Sequence, residues 1–283
     1  MIKKYKISVP KSTLNEIYKK VRNFPWSAAQ NMNGWEYGTN LNYLKNISKY
    51  WITKYNWKKF ENKINSFKNY KTKVEDINLH FIFEKSKNQK SKPLLLLHGW
   101  PGSITEFLDI IPRLAHPEKF GGKIEDGFDI IVPSLPGFGF SSQIKKALGP
   151  RKIGKILNKF MVKNLGYKNY FVQGGDWGAT IAGWIGLDSS KNCKGIHINC
   201  LPLRHPKGTK NIKEKKWEKK FNFDQIMQEG YRTQQATKPQ TLSYAMIDSP
   251  VGTAAWILEK FHGWSDLKTV SYTHLTLPTM VQV

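Results

Sequence analysis

The sequence predicts an α/β protein built on an open, mostly parallel sheet with flanking helices. Three observations predict it. Short runs of consecutive apolar residues recur in the middle of the chain, as strands buried on both faces require. Helical periodicity fills the stretches between them. Gly- and Pro-rich turns follow several runs, at the carboxyl ends of strands, where open α/β sheets place their chemistry.

The elements follow in order. The first seventy residues read as helical with aromatic interruptions: Ser12 can cap a segment through Val21, and Leu41, Leu44, Ile47, Trp51 and Tyr55 recur at three- and four-residue steps. Such a stripe reads as core. Around residue 77 the period becomes two, with Ile77, Leu79, Phe81 and Phe83 alternating against Asn78, His80 and Glu84. Four apolar runs come next, at Leu94–Leu97, Asp129–Val132, Tyr170–Gln173 and Gly195–Asn199. Helices are expected near Ile104–Leu114, Lys152–Leu165 and Trp177–Leu187. After Leu201 the strand signal stops, a lysine run occupies 204–220, and helical patterning returns at Phe223–Tyr231, Thr241–Met246 and Val251–Phe261. The expected organisation is an N-terminal wrap (1–75), an α/β core (76–203), a helical cap (204–268) that closes over the site, and a tail (269–283).

Composition narrows the function classes. Ten Trp, fifteen Phe and twelve Tyr in 283 residues exclude intrinsic disorder. No stretch approaches the roughly 18–20 consecutive apolar residues of a membrane span. The N-terminus lacks the apolar run of a signal peptide, so a cytoplasmic protein is expected. The net charge of +24 is spread along the chain, and five Arg stand against forty Lys. A surface that grips phosphate bidentately would favour Arg, so a lysine-solvated surface is the reading and no nucleic-acid partner is expected. Cys193 and Cys200 match neither a disulfide framework nor a zinc spacing. Buried free thiols are expected, and no metal or cofactor.

The chemistry concentrates in Gly174-Gly175-Asp176-Trp177-Gly178, which follows a strand and opens a helix. In a nucleophile elbow, glycines flanking the central residue permit a strained turn that lifts its side chain above the sheet. A carboxylate at that point attacks alkyl carbon and forms an ester with the protein. Asp is equally favoured as a helix N-cap, and taken alone the two readings are near even. His98-Gly99-Trp100-Pro101-Gly102 ends an earlier strand, where elbow logic requires another backbone N–H for the oxyanion. The N–H groups of Trp100 and Trp177 are the candidate pair. His98, inside the turn, reads as structural, and Pro136-Gly137-Phe138-Gly139 reads as a tight loop, since it lacks the spacing of a phosphate cradle.

These motifs together resemble the microsomal-type epoxide hydrolases of the α/β-hydrolase superfamily. The resemblance rests on Trp35–Thr39, His98–Ser103, Pro133–Ser141, Gln173–Gly178 and the stretch from Gln235 through Asp248–Gly252 to Trp264–Asp266, and it spans about residues 2–268. It implies an α/β-hydrolase fold and conversion of a small apolar epoxide and water to a vicinal diol. It further implies Asp176 as nucleophile, Trp100 and Trp177 as backbone N–H oxyanion donors, and Tyr231 of Glu229-Gly230-Tyr231 as a cap tyrosine that donates to the epoxide oxygen. A phenol, with an ordinary pKa of about 10, is protonated at neutral pH and suits that role. Tyr231 by itself would read as an ordinary core aromatic.

The resemblance also implies a His held by a carboxylate, both from elements after the cap, and a second cap tyrosine beyond Asp266. None of the seven His, at 80, 98, 116, 197, 205, 262 and 274, fits that position. From about residue 269 the chain leaves both the family pattern and the lysine bias. Ser271–Thr279 resembles translated adapter sequence, so the tail is expected to be non-native, His274 is not recruited, and the base is expected to be missing. Competing readings are a haloalkane dehalogenase, which also uses Asp-Trp at its elbow, a binder of anionic surfaces or nucleic acid through Lys207–Lys220, and an inactive fragment. Halide release, salt-dependent affinity that survives Asp176→Ala, and absence of any covalent chemistry would mark them respectively. Detoxification, aromatic hydrocarbon catabolism and lipid-epoxide turnover all suit the implied reaction.

Overall fold

The computed structural model describes residues 1–32, 34–200, 208 and 211–265. Its strands are β1 (Ile2–Lys4), β2 (Asn69–Val74), β3 (Ile77–Glu84), β4 (Lys92–Leu97), β5 (Phe128–Pro133), β6 (Tyr170–Gly174) and β7 (Cys193–Ile198). Its α-helices are α1 (Lys11–Arg22), α2 (Leu41–Thr53), α3 (Trp57–Asn65), α4 (Ile111–Ala115), α5 (Pro150–Lys159), α6 (Trp177–Asp188), α7 (Ile212–Gln228), α8 (Gly230–Thr237), α9 (Pro239–Asp248) and α10 (Pro250–Trp264). Asp266, His205, His274, the tail and part of the lysine run lie outside the described residues.

The strands form one sheet in the order β1-β2-β3-β5-β4-β6-β7. Pairing is antiparallel from β1 through β3 to β5 and parallel across β5, β4, β6 and β7. The consecutive apolar residues of the central strands are explained by the pleat, which sends neighbours to opposite faces. Leu95, Leu97, Ile131 and Val172 join Leu157 and Phe160 of the α5 segment and Ile181 and Ile185 of α6 in one buried cluster. Leu96, Ile130 and Val132 face the other side, with Ile7, Ile64 and Ile104. Both faces are covered, as an α/β-hydrolase sheet requires, and helices flank the parallel strands.

The described chain forms two units. The sheet unit takes Met1–Ser8 and the chain from Trp57 to the end of β7, and the helical unit takes Val9–Asn56 with α7 to α10. The N-terminal region is thus divided between them. In the helical unit the predicted stripe is core: Leu44, Ile47 and Trp51 of α2 pack with Val21 of α1 and with Val251 and Leu258 of α10. Thr39 donates to the Ala255 carbonyl at 2.6 Å, joining the two ends of the sequence within this unit.

Some local expectations differ. Residues 2–4 form a strand where helix was expected, paired Ile2 to Thr72 and Lys4 to Tyr70. Helix α1 starts at Lys11 after Pro10, with no side-chain cap, so Ser12 lies inside its first turn. The single helix expected over Ile104–Leu114 is a 3₁₀ turn (Ile104–Phe107) followed by α4. Pro112 explains the break, since it has no N–H to continue a helix from upstream. The stretch Phe223–Tyr231 divides at Glu229, the N-cap of α8. Cys193 is buried and Cys200 is exposed, both free. Among the described residues no helix is long and apolar enough to cross a membrane.

Candidate active site

The elbow between β6 and α6 is built from close backbone approaches. A side chain at Gly174 would collide with the Gly178 carbonyl, and one at Gly178 with the Leu97 and His98 carbonyls of the strand beside it. Only hydrogen fits at both places. Between them Asp176 takes φ 50° and ψ −124°, a conformation that a side-chain-bearing residue adopts only at some cost.

The carboxylate of Asp176 does not cap its own helix. No side-chain cap bond forms at the start of α6. Instead Asp176 Oδ1 accepts the backbone N–H of Trp100 at 2.8 Å. This geometry is not that of a helix cap, because a capping Asp would turn to the N–H groups of the next two or three residues. Trp177 opens α6, where an N–H has no intrahelical acceptor. A side chain at Gly99 would overlap the Asp176 carboxyl, so that glycine is what allows strand β4 and the elbow to meet.

His98 holds the turn in place. It is fully buried. Its Nε2 accepts the Leu135 N–H at 3.1 Å, which leaves Nδ1 to carry the proton toward the Gly99 carbonyl at 3.1 Å. Both nitrogens are committed to backbone, as a structural histidine's should be. Burial pushes its pKa down to about 4. His80, fully buried between Ser134 and Asn69, is pushed down to about 3 by burial and by Lys71.

These two imidazoles make a pH prediction. Both stay neutral in the fold, whereas an unfolded His takes up a proton below about 6.5. The unfolded state therefore binds more protons as pH falls from 6.5 toward 4, and stability falls with it. Each His is expected to remove about 2 kcal/mol between pH 7 and pH 5. Urea unfolding at the two pH values checks this, and an unmoved midpoint would contradict it.

Sequence reading missed Glu106, in the 3₁₀ turn after the His98–Gly102 loop. Desolvation by the surrounding protein, then the charge of Asp176, push its carboxyl up to about 7, against hydrogen bonds from the Ser103 and Gly99 backbone. The only sequence signal was Ser103-Ile104-Thr105-Glu106, which has the form of a capping box.

The other predicted positions are placed as follows. Tyr231 lies at the start of α8 in the helical unit, its ring edge-on to Trp264 at 5.0 Å, with Lys260 Nζ 5.0 Å from its centroid. Asp176, Trp100 and Trp177 stand together in the sheet unit. Of the described histidines, His116 contacts Glu84 at 3.2 Å, His262 stacks on Trp35 at 3.8 Å, and His197 is exposed on β7. Among the described residues no histidine is hydrogen-bonded to Asp176, and no group of three or more His, Cys, Asp or Glu could hold a metal ion.

Comparison with known proteins gives a consistent answer. Residues 2–107 match the family described as epoxide hydrolase N terminus, and residues 92–266 match the α/β hydrolase fold family. The chain is 35% identical over 288 residues to epoxide hydrolase 1 of Oryctolagus cuniculus, covering 94% of this chain and 63% of that protein. It is 34% identical over 286 residues to juvenile hormone epoxide hydrolase 1 of Ctenocephalides felis, covering 94% and 61%. Among solved structures, juvenile hormone epoxide hydrolase from the silkworm Bombyx mori superposes with a TM-score of 0.84 at 31% identity, covering 95% of this chain and 67% of that one. The chain spans about three fifths of the length of the curated relatives it matches.

Proposed function

This chain belongs to the epoxide hydrolases of the α/β-hydrolase fold, and on that premise we propose that it opens an apolar epoxide through an ester on Asp176. One Asp176 oxygen attacks a ring carbon, the carbon–oxygen bond of the epoxide breaks, and the oxygen leaves as an alkoxide. Tyr231 protonates that alkoxide. Water then attacks the ester carbonyl carbon, and the N–H groups of Trp100 and Trp177 hold the oxygen on which charge builds, before the diol departs and the carboxylate returns.

The observation that carries this reading is the Trp100 N–H to Asp176 Oδ1 bond at 2.8 Å. It holds the carboxylate away from its own helix and already directs an oxyanion donor at it. Activating the water requires a base, and none of the five described histidines is bonded to Asp176; His205 and His274 lie outside the described residues. On this proposal the second step is expected to be the slow one. Incubation with styrene oxide is expected to leave a long-lived mass increase of one epoxide, mapped to the peptide containing Asp176. Sustained diol release without any accumulated adduct would overturn the slow second step.

A further inference from the structure

The turn that delivers the Trp100 N–H also carries a carboxylate that the ester mechanism does not use. Ser103 Oγ accepts the Thr105 N–H at 3.3 Å, and Glu106 folds back to the Ser103 and Gly99 backbone, as the last residue of a capping box does. The Glu106 carboxyl occupies the place a side chain on Gly102 would take, and the Asp176 carboxyl occupies the place a side chain on Gly99 would take. Gly99 therefore has Asp176 against its α-carbon and Glu106 on its backbone. Two carboxylates meet at one residue.

Like charges so placed disfavour double ionisation, and one of the pair retains a proton. We infer that Glu106 is a proton store coupled to Asp176: it holds a proton while Asp176 is a carboxylate and gives it up when Asp176 becomes an ester. The inference rests on the ester mechanism above. Asp176 is the charge that acts on Glu106, and His98, the other ionisable side chain of this turn, is kept neutral by burial. The Glu106 carboxyl is folded onto the turn and partly desolvated, while the residue as a whole stays exposed, so it can exchange its proton with water. Its elevated pKa, about 7, keeps the store partly filled at neutral pH.

The balance gives the test. Ring opening forms one bond from Asp176 oxygen to carbon, breaks one carbon–oxygen bond, and places one proton on the new alcohol. That proton comes in the end from solvent, so each ester formed takes up one proton. If Glu106 releases its proton as the Asp176 charge disappears, the net uptake falls below one.

The experiment mixes the full chain with styrene oxide in weakly buffered indicator solution and counts esters by intact mass. At pH 7 the uptake is expected to fall measurably below one proton per ester, by the part of the Glu106 shift that the Asp176 charge causes. At pH 9, where Glu106 is ionised throughout, it rises to about one. Glu106→Gln keeps a residue that completes the capping box but holds no titrating proton, and it is expected to take up about one at both pH values. Uptake of one proton per ester by the unmodified chain at pH 7 would overturn the inference while leaving the ester mechanism standing. If Glu106→Gln does not fold, the two pH values in the unmodified chain decide alone. A chain that forms no ester, or an Asp176→Asn chain that forms one, removes the nucleophile and this inference together.

Discussion

Replacing Asp176 by asparagine or glycine is expected to abolish ester formation, a loss of roughly 10⁴-fold or more, while the glycine form becomes more stable than the unmodified protein. The first effect follows from chemistry: an amide or a hydrogen supplies no carboxylate oxygen to attack the ring carbon. The second follows from the backbone. Asp176 sits at φ 50° and ψ −124°, and a side-chain-bearing residue held there carries about 1–3 kcal/mol of strain. Glycine relieves it, at an added cost of roughly 0.5–1 kcal/mol in the entropy of the unfolded chain. The net is a gain of about 1 kcal/mol, read by urea unfolding beside an intact-mass assay for the adduct. A glycine variant that unfolds more easily would show that the elbow is not strained. An asparagine variant that still forms adduct would move the nucleophile elsewhere.

Gly178→Ala is expected to destabilise the protein by about 3 kcal/mol or more. The added methyl would meet the carbonyls of Leu97 and His98. Those atoms belong to the end of β4, which is fixed between β5 and β6 and cannot yield without loosening the centre of the sheet. Gly183→Ala is the internal control. It lies in the same helix, nothing stands within 4 Å of the added carbon, and alanine there is expected to stabilise by up to about 1 kcal/mol. Measuring both by denaturant unfolding separates close approach from helix propensity. Equal effects would mean that the elbow tolerates bulk.

How much of this could be read in the sequence depended on where the signal lay. Strands β4 to β6 were legible because both faces are largely buried, so apolar residues fall on consecutive positions. Strands β1 and β2 were not. Ile2-Lys3-Lys4 and Asn69-Tyr70-Lys71-Thr72-Lys73-Val74 lie toward the sheet edge, where lysines on the exposed positions hide a strand inside a lysine-rich chain. The elbow was visible as a glycine pattern, but the role of Asp176 was not decided by it. The bond that sets its carboxylate apart from a helix cap comes from Trp100, 76 residues away, and no local pattern carries a contact of that separation. Glu106 was hidden for a different reason. Its Ser-x-x-Glu context already had a sufficient local explanation, and only folding brings Asp176 to the same glycine.

The helical unit has a consequence for how the chain is made. The apolar faces of α1 and α2 are covered by Val251 and Leu258 of α10, which leave the ribosome some two hundred residues later. Strands β2 to β7 are all synthesised in the interval. A nascent chain therefore carries Val21, Leu44 and Trp51 without their α10 partners while the strands are being made. Contacts of such wide sequence separation form late and slowly. The N-terminal helices are synthesised first and covered last.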